Sequence, residues 1–275
     1  MTSKDTFTRI AGFAGSLTRW IVARIAFAFI TLVGMVALNS NLHITAGAFA
    51  EDYKVAAVKL GWALLALFLY KPFLTLCDGK AAEELSMDRL SFPRFAAGTA
   101  IALMMLALPV LVLVMLGRAP MLYATPNSLM LATAIALQAA IIEEIIFRGF
   151  LLQLLLKFLH PILAALLVAL IFAASHLDGR GSIGLLSVFL AGLTMTAAFF
   201  VSRSLWLPIG IHFGWDFVIF VMQYFPAVIP NSPRASLASG IEATVLVGVE
   251  TIVLAAVVTV VAWNAMKPNR QAKLV

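Results

Sequence analysis

The sequence predicts an all-α, polytopic membrane protein with about eight transmembrane helices enclosing an intramembrane polar cavity. Two observations predict this fold class. Of the 275 residues, 63% are hydrophobic and only 12% are charged, whereas about a quarter of the residues of an ordinary soluble domain are charged. The apolar residues also form long runs. A bilayer takes up such a surplus of apolar side chains, which a soluble fold would leave as exposed patches.

Eight apolar runs have about the length that a spanning helix needs, which is roughly 20 residues. Polar breaks or breaks that contain Pro and Gly separate these runs. The predicted spans are residues 20–38, 55–76, 95–116, 128–159, 162–177, 183–201, 205–225 and 243–264. No soluble segment interrupts them, so residues 1–275 are predicted to form a single transmembrane domain.

The distribution of Lys and Arg predicts the orientation of the chain. With the N-terminus placed inside, most of the basic residues fall in loops on that same side, and short basic loops tend to stay cytoplasmic. We therefore expect a multi-pass protein of a bacterial cytoplasmic membrane with both termini in the cytoplasm. An alternative interpretation takes the small residues at 46–48 as the cleavage site of a signal peptide.

The net charge is +6 and the sequence contains one cysteine. The spread of the basic residues bears on the partners of the protein, and the cysteine count bears on disulfides and metal sites. The basic residues are spread over short loops beside apolar runs and form no basic domain, so we expect them to face anionic lipid headgroups and expect no nucleic-acid partner. Cys77 has no second cysteine to pair with. An internal disulfide and a cysteine-rich metal site are therefore excluded.

Six ionisable residues stand inside the apolar runs, where a charged side chain costs several kcal/mol. They are Glu143, Glu144, Arg148, His176, His212 and Asp216. Counted from the predicted inner ends of their helices, Glu143 and His176 both lie about 21 Å deep, Asp216 about 16 Å and His212 about 10 Å. These depths predict that three helices converge on one polar pocket.

The spacing of these residues predicts different roles for the two glutamates. Glu144 and Arg148 are four residues apart, so they lie on one helix face and are expected to form a structural ion pair. Glu143 points about 100° away around the helix and remains available for chemistry. His212 and Asp216 are also four apart, so the carboxyl group is expected to hold His212 and favour its charged form.

Small and aromatic residues surround the predicted pocket. Gly210 and Gly214 flank His212 in a small-xxx-small pattern, which predicts that another helix approaches closely at this point. Phe172 precedes His176 by four residues and places an aromatic ring one turn below the imidazole. Together these residues predict a tightly packed site.

Three motifs carry a family resemblance. They are EExxxR from Glu143 to Arg148, FxxxH from Phe172 to His176, and HxxxD from His212 to Asp216. In this order they resemble the family of CAAX proteases and bacteriocin-processing enzymes, called CPBP or Abi, which includes the type II CAAX prenyl endopeptidase. The resemblance covers about residues 128–225, which we take as the catalytic core.

The resemblance implies an intramembrane glutamic endopeptidase with eight helices. In this family pattern Glu143 would be the general base, His176 its partner in activating water, and His212 and the residue at 216 would stabilise the oxyanion. CAAX-processing enzymes are expected to carry Asn at that last position. Because an ionised Asp cannot donate a hydrogen bond, Asp216 is predicted to orient His212 and keep it cationic instead.

Two questions of chemistry remain open on the sequence. No cofactor is expected, and zinc held by Glu143, His176 and His212 is the alternative. The metal-free mechanism is favoured because a zinc site would make Glu143 both ligand and base.

The expected reaction is hydrolysis of membrane-associated or C-terminally processed peptides, with a prenylated protein or a bacteriocin-type precursor as substrate. A proton-coupled transporter and a non-catalytic scaffold or immunity protein are the competing functions.

Overall fold

The computed structural model describes residues 15, 18, 21–34, 37, 52–78, 91–115, 126–177, 181–224 and 240–265. Every regular element in these ranges is a helix, and they contain no strand. The all-α prediction is therefore confirmed. The alternative signal-peptide cleavage site at 46–48 lies outside the described residues.

A helix stands at each of the eight predicted spans. We number them α1 to α8 in chain order. They are α1 Ile21–Gly34, α2 Asp52–Asp78, α3 Phe92–Met115, α4 Pro126–Glu144, α5 Pro161–Ala174, α6 Gly181–Ser202, α7 Trp206–Tyr224 and α8 Gly240–Ala265.

The fourth span is not the single α-helix over 128–159 that the sequence predicts. The α4 helix ends at Glu144, a π-helix follows over Ile145–Leu152, and a short α-helical turn, Gln153–Leu155, completes the span. π-Helical turns are rare and are often found at functional sites. Here the π-helix begins directly after the two adjacent glutamates.

The fifth helix is shorter than predicted. Pro161 occupies its first turn, and the ring of His160 accepts a hydrogen bond from the Ile162 amide at 3.4 Å. A proline is tolerated there because the amides of the first turn have no carbonyl within the helix to donate to. A capping side chain accepts a hydrogen bond from one of these free amides. The helix ends at Ala174, two residues before His176, which the sequence places inside the span over 162–177. His176 occupies the turn that follows.

Two of the described helices are long and apolar enough to cross a membrane, namely Leu129–Leu155 and Gly184–Ser202. Large apolar side chains are also exposed on several helices. Phe68 is 75% exposed, Met104 67% and Ile252 69%. Surfaces of this kind suit contact with lipid rather than with water.

The helices that carry the polar residues pack around α4. Helix α4 contacts α2 on one side and α7 on another, while α6 contacts α5, α7 and α8. The helix α3 packs along α7. Helices α4 and α7 and the end of α5 are thereby held together around one buried region.

Glycines allow α3 and α7 to touch through their backbones. A Cβ atom at Gly210 would overlap the backbone of Phe95, and one at Gly214 would come within 2.8 Å of the Ala102 Cβ. Thr99 also donates from Oγ1 to the Gly210 carbonyl at 3.3 Å. The predicted close approach at Gly210 and Gly214 is confirmed, and the approaching helix is α3.

Candidate active site

Glu143 lies in the last turn of α4 and faces two imidazoles. Its Oε2 atom is 3.8 Å from Nε2 of His176 and 3.8 Å from Nε2 of His212. This oxygen is buried and has no hydrogen-bond partner among the described residues. A distance of 3.8 Å is too long for a direct hydrogen bond, and one water molecule can contact both groups across it.

His176 is held by the turn that ends α5. Its Nδ1 atom lies 2.8 Å from the Phe172 carbonyl oxygen and 3.2 Å from Ser175 Oγ. A carbonyl oxygen only accepts, so Nδ1 carries the proton, and the Nε2 of a neutral His176 ring presents a lone pair toward Glu143. The side chain is 21% exposed, which makes this turn the more open edge of the site.

His212 is enclosed by carboxyl groups. Its Nδ1 atom donates to Glu144 Oε1 at 2.9 Å, and its Nε2 atom lies 3.4 Å from Asp216 Oδ2 on the same helix. The His212 side chain is only 5% exposed. An imidazolium at this position would have one carboxyl group beside each ring nitrogen.

The expected i, i+4 pair of Glu144 and Arg148 is present, with Nη1 2.7 Å from Oε1 and both side chains fully buried. Arg148 also donates to the Gly192 carbonyl at 2.7 Å and to Thr196 Oγ1 at 3.4 Å. Buried charges are tolerated when they are paired and hydrogen-bonded in this way.

Glu144 does more than pair with Arg148. Its Oε1 atom accepts from both Arg148 and His212. A continuous polar connection therefore runs from α6 through Arg148 and Glu144 to His212 on α7. The sequence prediction of a self-contained ion pair was incomplete because the i, i+4 spacing gives no information on a third partner from another helix.

The Phe172 ring lies at the centre of the site. Its centroid is 4.8 Å from that of His176 and 5.9 Å from that of His212. Phe147 packs edge-on against it at 4.9 Å, and the Arg148 guanidinium lies 5.0 Å from its centroid. The Phe172 ring therefore lies close to Arg148 and to both histidines.

The geometry does not form a metal centre. Among the described residues, no three His, Cys, Asp or Glu side chains are grouped so that they could hold a metal ion. We therefore derive no catalytic step through zinc.

Sequence reasoning missed the residues that hold the site from behind. Gly192 and Thr196 on α6 and Ser175 after α5 were not singled out. Small and hydroxyl residues are common in apolar helices, so single positions of this kind carry little signal. The polar atoms that they supply become relevant only when α6 packs beside Arg148.

The fold and the site define a class of protein. The helices bring the Glu143 carboxylate within water-bridging distance of two imidazoles, and such an arrangement can hold a water molecule beside a general base. Residues 125–218 match the family model of the type II CAAX prenyl endopeptidases, described as Rce1-like. The match covers about a third of the chain, including every residue of the site, and bears out the resemblance carried by the three motifs. No curated protein matches the chain.

Proposed function

We propose that the protein is a CAAX-type intramembrane endopeptidase in which Glu143 activates the attacking water. The observation that carries the proposal is the buried Oε2 atom of Glu143, which has no hydrogen-bond partner among the described residues and stands 3.8 Å from both histidine Nε2 atoms. The match of residues 125–218 to the CAAX prenyl endopeptidase family supports the same reaction class.

The first step uses Glu143 and His176 as a pair. A water molecule between them donates one proton toward Glu143 Oε2 and the other toward His176 Nε2, which leaves its lone pair free for the scissile carbonyl carbon. As the new C–O bond forms, Glu143 takes a proton from the water. The same proton passes to the leaving amine when the C–N bond breaks, so the enzyme returns to its starting state.

The second element of the mechanism is His212. Its Nδ1–H bond to Glu144 fixes the ring on α7, and an Nε2–H would be directed toward the region between Glu143 and Asp216. A donor fixed in that place stabilises the oxyanion of the tetrahedral intermediate without reorganisation. Asp216, whose Oδ2 atom lies 3.4 Å from His212 Nε2, is the residue that positions this nitrogen.

The substrates and the membrane arrangement belong to the proposal as well. We infer a multi-pass protein of the bacterial cytoplasmic membrane in which all eight helices cross the bilayer and both termini are cytoplasmic. The substrate is a membrane-associated peptide or a peptide processed at its C-terminus, such as a prenylated protein or a bacteriocin-type precursor.

The decisive test compares wild type with Glu143→Gln, which keeps the volume of the side chain and removes the base. Membrane proteomics of cells that carry either form should show peptides cleaved only by wild type, and purified protein should lose at least about 100-fold in rate. Glu250→Gln on α8 is the matched control. Unchanged cleavage by Glu143→Gln would refute the mechanism.

Two further readouts separate the competing functions. Solute flux in liposomes that depends on Glu143, without proteolysis, would establish a transporter. A partner-dependent phenotype that survives Glu143→Gln would establish a scaffold. The metal-free chemistry predicts that turnover persists in chelator and that purified protein carries less than stoichiometric zinc; a zinc requirement would overturn it.

A further inference from the structure

Short connections fix the directions of the helices that carry the site. The connection from the fourth span to α5 comprises residues 156–160, that from α5 to α6 residues 175–180, and that from α6 to α7 residues 203–205. Helices joined by such short segments run antiparallel. The beginning of α4 therefore lies at the same end of the bundle as the ends of α5 and α7. We call this end distal and the opposite end, where α5 and α7 begin, proximal.

The polar side chains of the site are most exposed on its distal side. On α7 the exposed fraction of the side chain rises from 5% at His212 to 19% at Asp216, which is one turn nearer the distal end. On the fourth span it is 16% at Glu143 and zero at Arg148, which is nearer the proximal end. His176, in the turn beyond the distal end of α5, is 21% exposed. All three helices give the same direction for the opening of the site.

Apolar side chains close the proximal side of the site. Trp206 and Ile209 at the beginning of α7 are buried, and so is Leu152 in the π-helix. They belong to the same core cluster as Phe172, whose ring lies close to both histidines. The catalytic groups thus rest directly on the apolar core. A peptide could reach Glu143 from the proximal end only if this core separated.

The partly exposed surface of the site continues toward the distal end along two helices. Every residue of α7 from Trp215 to Val221 is partly exposed. On α4, Ala139 is partly exposed as well, and it precedes Glu143 by four residues, which places it on the same helix face. These residues extend the opening beyond the catalytic groups themselves.

The length of α5 places its distal turn at membrane depth. The helix has 14 residues, which span about 21 Å, whereas the hydrocarbon core of a bilayer is about 30 Å thick. Non-helical backbone is tolerated at that depth where it is buried in protein or lines a water-filled cavity. The partly exposed turn that holds His176 fits the second case, and hydrolysis requires water at the same place.

The number of crossings relates the distal end to the termini. Helices α5 and α7 are the fifth and seventh of the eight proposed crossings. They therefore begin on the side of the membrane where the N-terminus lies and end on the opposite side. After the eighth crossing the C-terminus is again on the side of the N-terminus. The distal end of the bundle thus faces away from both termini.

We propose that the active site opens through a water-filled depression on the side of the membrane opposite to both termini, and that its substrates are peptides whose cleaved segment reaches the bilayer from that side. With cytoplasmic termini this side is extracytoplasmic. The substrate class then narrows to exported or outward-facing peptides, such as a bacteriocin-type precursor, and a prenylated C-terminus on the cytoplasmic face would not reach Glu143. This inference rests on the proposed endopeptidase function and on the eight crossings.

Accessibility to a water-soluble reagent tests the opening without any turnover. Single cysteines are introduced into the cysteine-free Cys77→Ser protein by Ala139→Cys, Ala164→Cys or Thr2→Cys. Ala139 is partly exposed on the distal side, whereas Ala164, near the beginning of α5, is fully buried in the core cluster, so these two substitutions are matched in size. Each full-length protein is treated with a membrane-impermeant methanethiosulfonate reagent, once in spheroplasts and once in inverted membrane vesicles.

The cysteines at the site and at the N-terminus should react in different preparations. We expect Ala139→Cys to be labelled in spheroplasts and Thr2→Cys in inverted vesicles, each at least about tenfold faster than Ala164→Cys, because a buried thiol is inert. Labelling of Ala139→Cys in the same preparation as Thr2→Cys, in both preparations or in neither overturns the proposed opening. Labelling of Ala164→Cys as fast as Ala139→Cys overturns the closed proximal side.

A second distal position guards against a local effect of the substitution. Ile219→Cys lies three residues after Asp216 on α7, where the chain is partly exposed, and it should be labelled in the same preparation as Ala139→Cys. Size-exclusion profiles check that each variant is folded. Labelling of the two distal cysteines from opposite sides of the membrane would contradict a single opening.

The substrate class is tested on the cleavage sites found in cells. Sites that are cut with wild type and remain uncut with Glu143→Gln should lie outside the cytoplasmic membrane or in the outer half of a membrane segment. A majority of sites on the cytoplasmic side overturns this substrate class. An absence of any cleavage that depends on Glu143 counts against the proposed function, and the labelling result still decides the opening.

Discussion

At the scale of single residues, two adjacent glutamates occupy different chemical environments. Glu144 Oε1 is held by Arg148 and His212, whereas Glu143 Oε2 has no hydrogen-bond partner in the described part of the chain. Neighbouring positions on a helix point about 100° apart, so one carboxyl group reaches the ion pair and the other reaches the histidines. The difference in packing supports the proposed roles, in which Glu144 holds the site together and Glu143 activates water.

Glu144→Gln should destabilise the protein strongly. The variant leaves the fully buried Arg148 without its carboxylate, and removal of one partner of a buried pair costs about 3–5 kcal/mol. Unfolding in detergent followed by circular dichroism measures the loss. Glu250→Gln is the comparison, because the buried Glu250 accepts from the Ser187 hydroxyl at 2.8 Å and should lose only about 1 kcal/mol. Equal losses in the two variants would contradict the role given to Arg148.

Substitutions at Asp216 should separate positioning from charge. In the wild type the Asp216 carboxyl lies 3.4 Å from His212 Nε2. Asp216→Asn keeps a polar group that can make this contact, so the rate of peptide cleavage should stay within about tenfold of wild type. Asp216→Leu removes that contact, and kcat should fall about 100-fold because oriented donors act only in the transition state. Equal kcat values for the two variants would exclude a positioning role for this side chain.

At the scale of elements, the contact between α3 and α7 determines where His212 lies. Gly210 and Gly214 stand two residues before and after this histidine, and the α3 backbone fills the space where their side chains would be. The π-helix over Ile145–Leu152 has a related effect, since it carries Arg148 between α6 and Phe172. Both elements orient polar residues through backbone geometry.

Gly210→Ala should push α3 away from α7. The new Cβ atom would overlap the Phe95 carbonyl, and such overpacking costs about 1–3 kcal/mol. The unfolding free energy and the cleavage rate should both fall. Gly61→Ala on α2 is the matched control, because no atom lies within 4 Å of its added Cβ, and it should be neutral or slightly stabilising. A neutral Gly210→Ala would contradict the close packing.

At the scale of the whole molecule, large apolar side chains are exposed and a buried ion pair is enclosed, which agrees with the match to a family of membrane endopeptidases. Arg148 and Glu144 are fully buried, while Phe68 is 75% exposed. The interior is mainly apolar, as in a soluble protein, but large apolar side chains as exposed as these suit contact with lipid. The two long apolar helices, Leu129–Leu155 and Gly184–Ser202, agree with it.

The proposed eight crossings predict that both termini lie on the same side of the membrane, and the basic loops predict that this side is cytoplasmic. The sequence contains one cysteine, Cys77, so Cys77→Ser yields a protein without cysteine. A single cysteine is then introduced into it at Thr2 or at Lys273. Neither should react with a membrane-impermeant thiol reagent in intact cells, and both should react after the membrane is opened. Labelling of only one of them in intact cells would require an odd number of crossings and would refute the arrangement.

The sequence alone determined the helical class, the approximate positions of the eight helices and the six ionisable residues that stand in apolar runs, because composition, length and the cost of charge in an apolar run are local properties. Tertiary structure decided the rest. It placed His176 in a turn after α5, connected His212 to Glu144, brought α3 against Gly210 and inserted a π-helix after Glu144. These features depend on which helices are neighbours, and a spacing along one helix carries no information on what packs against it.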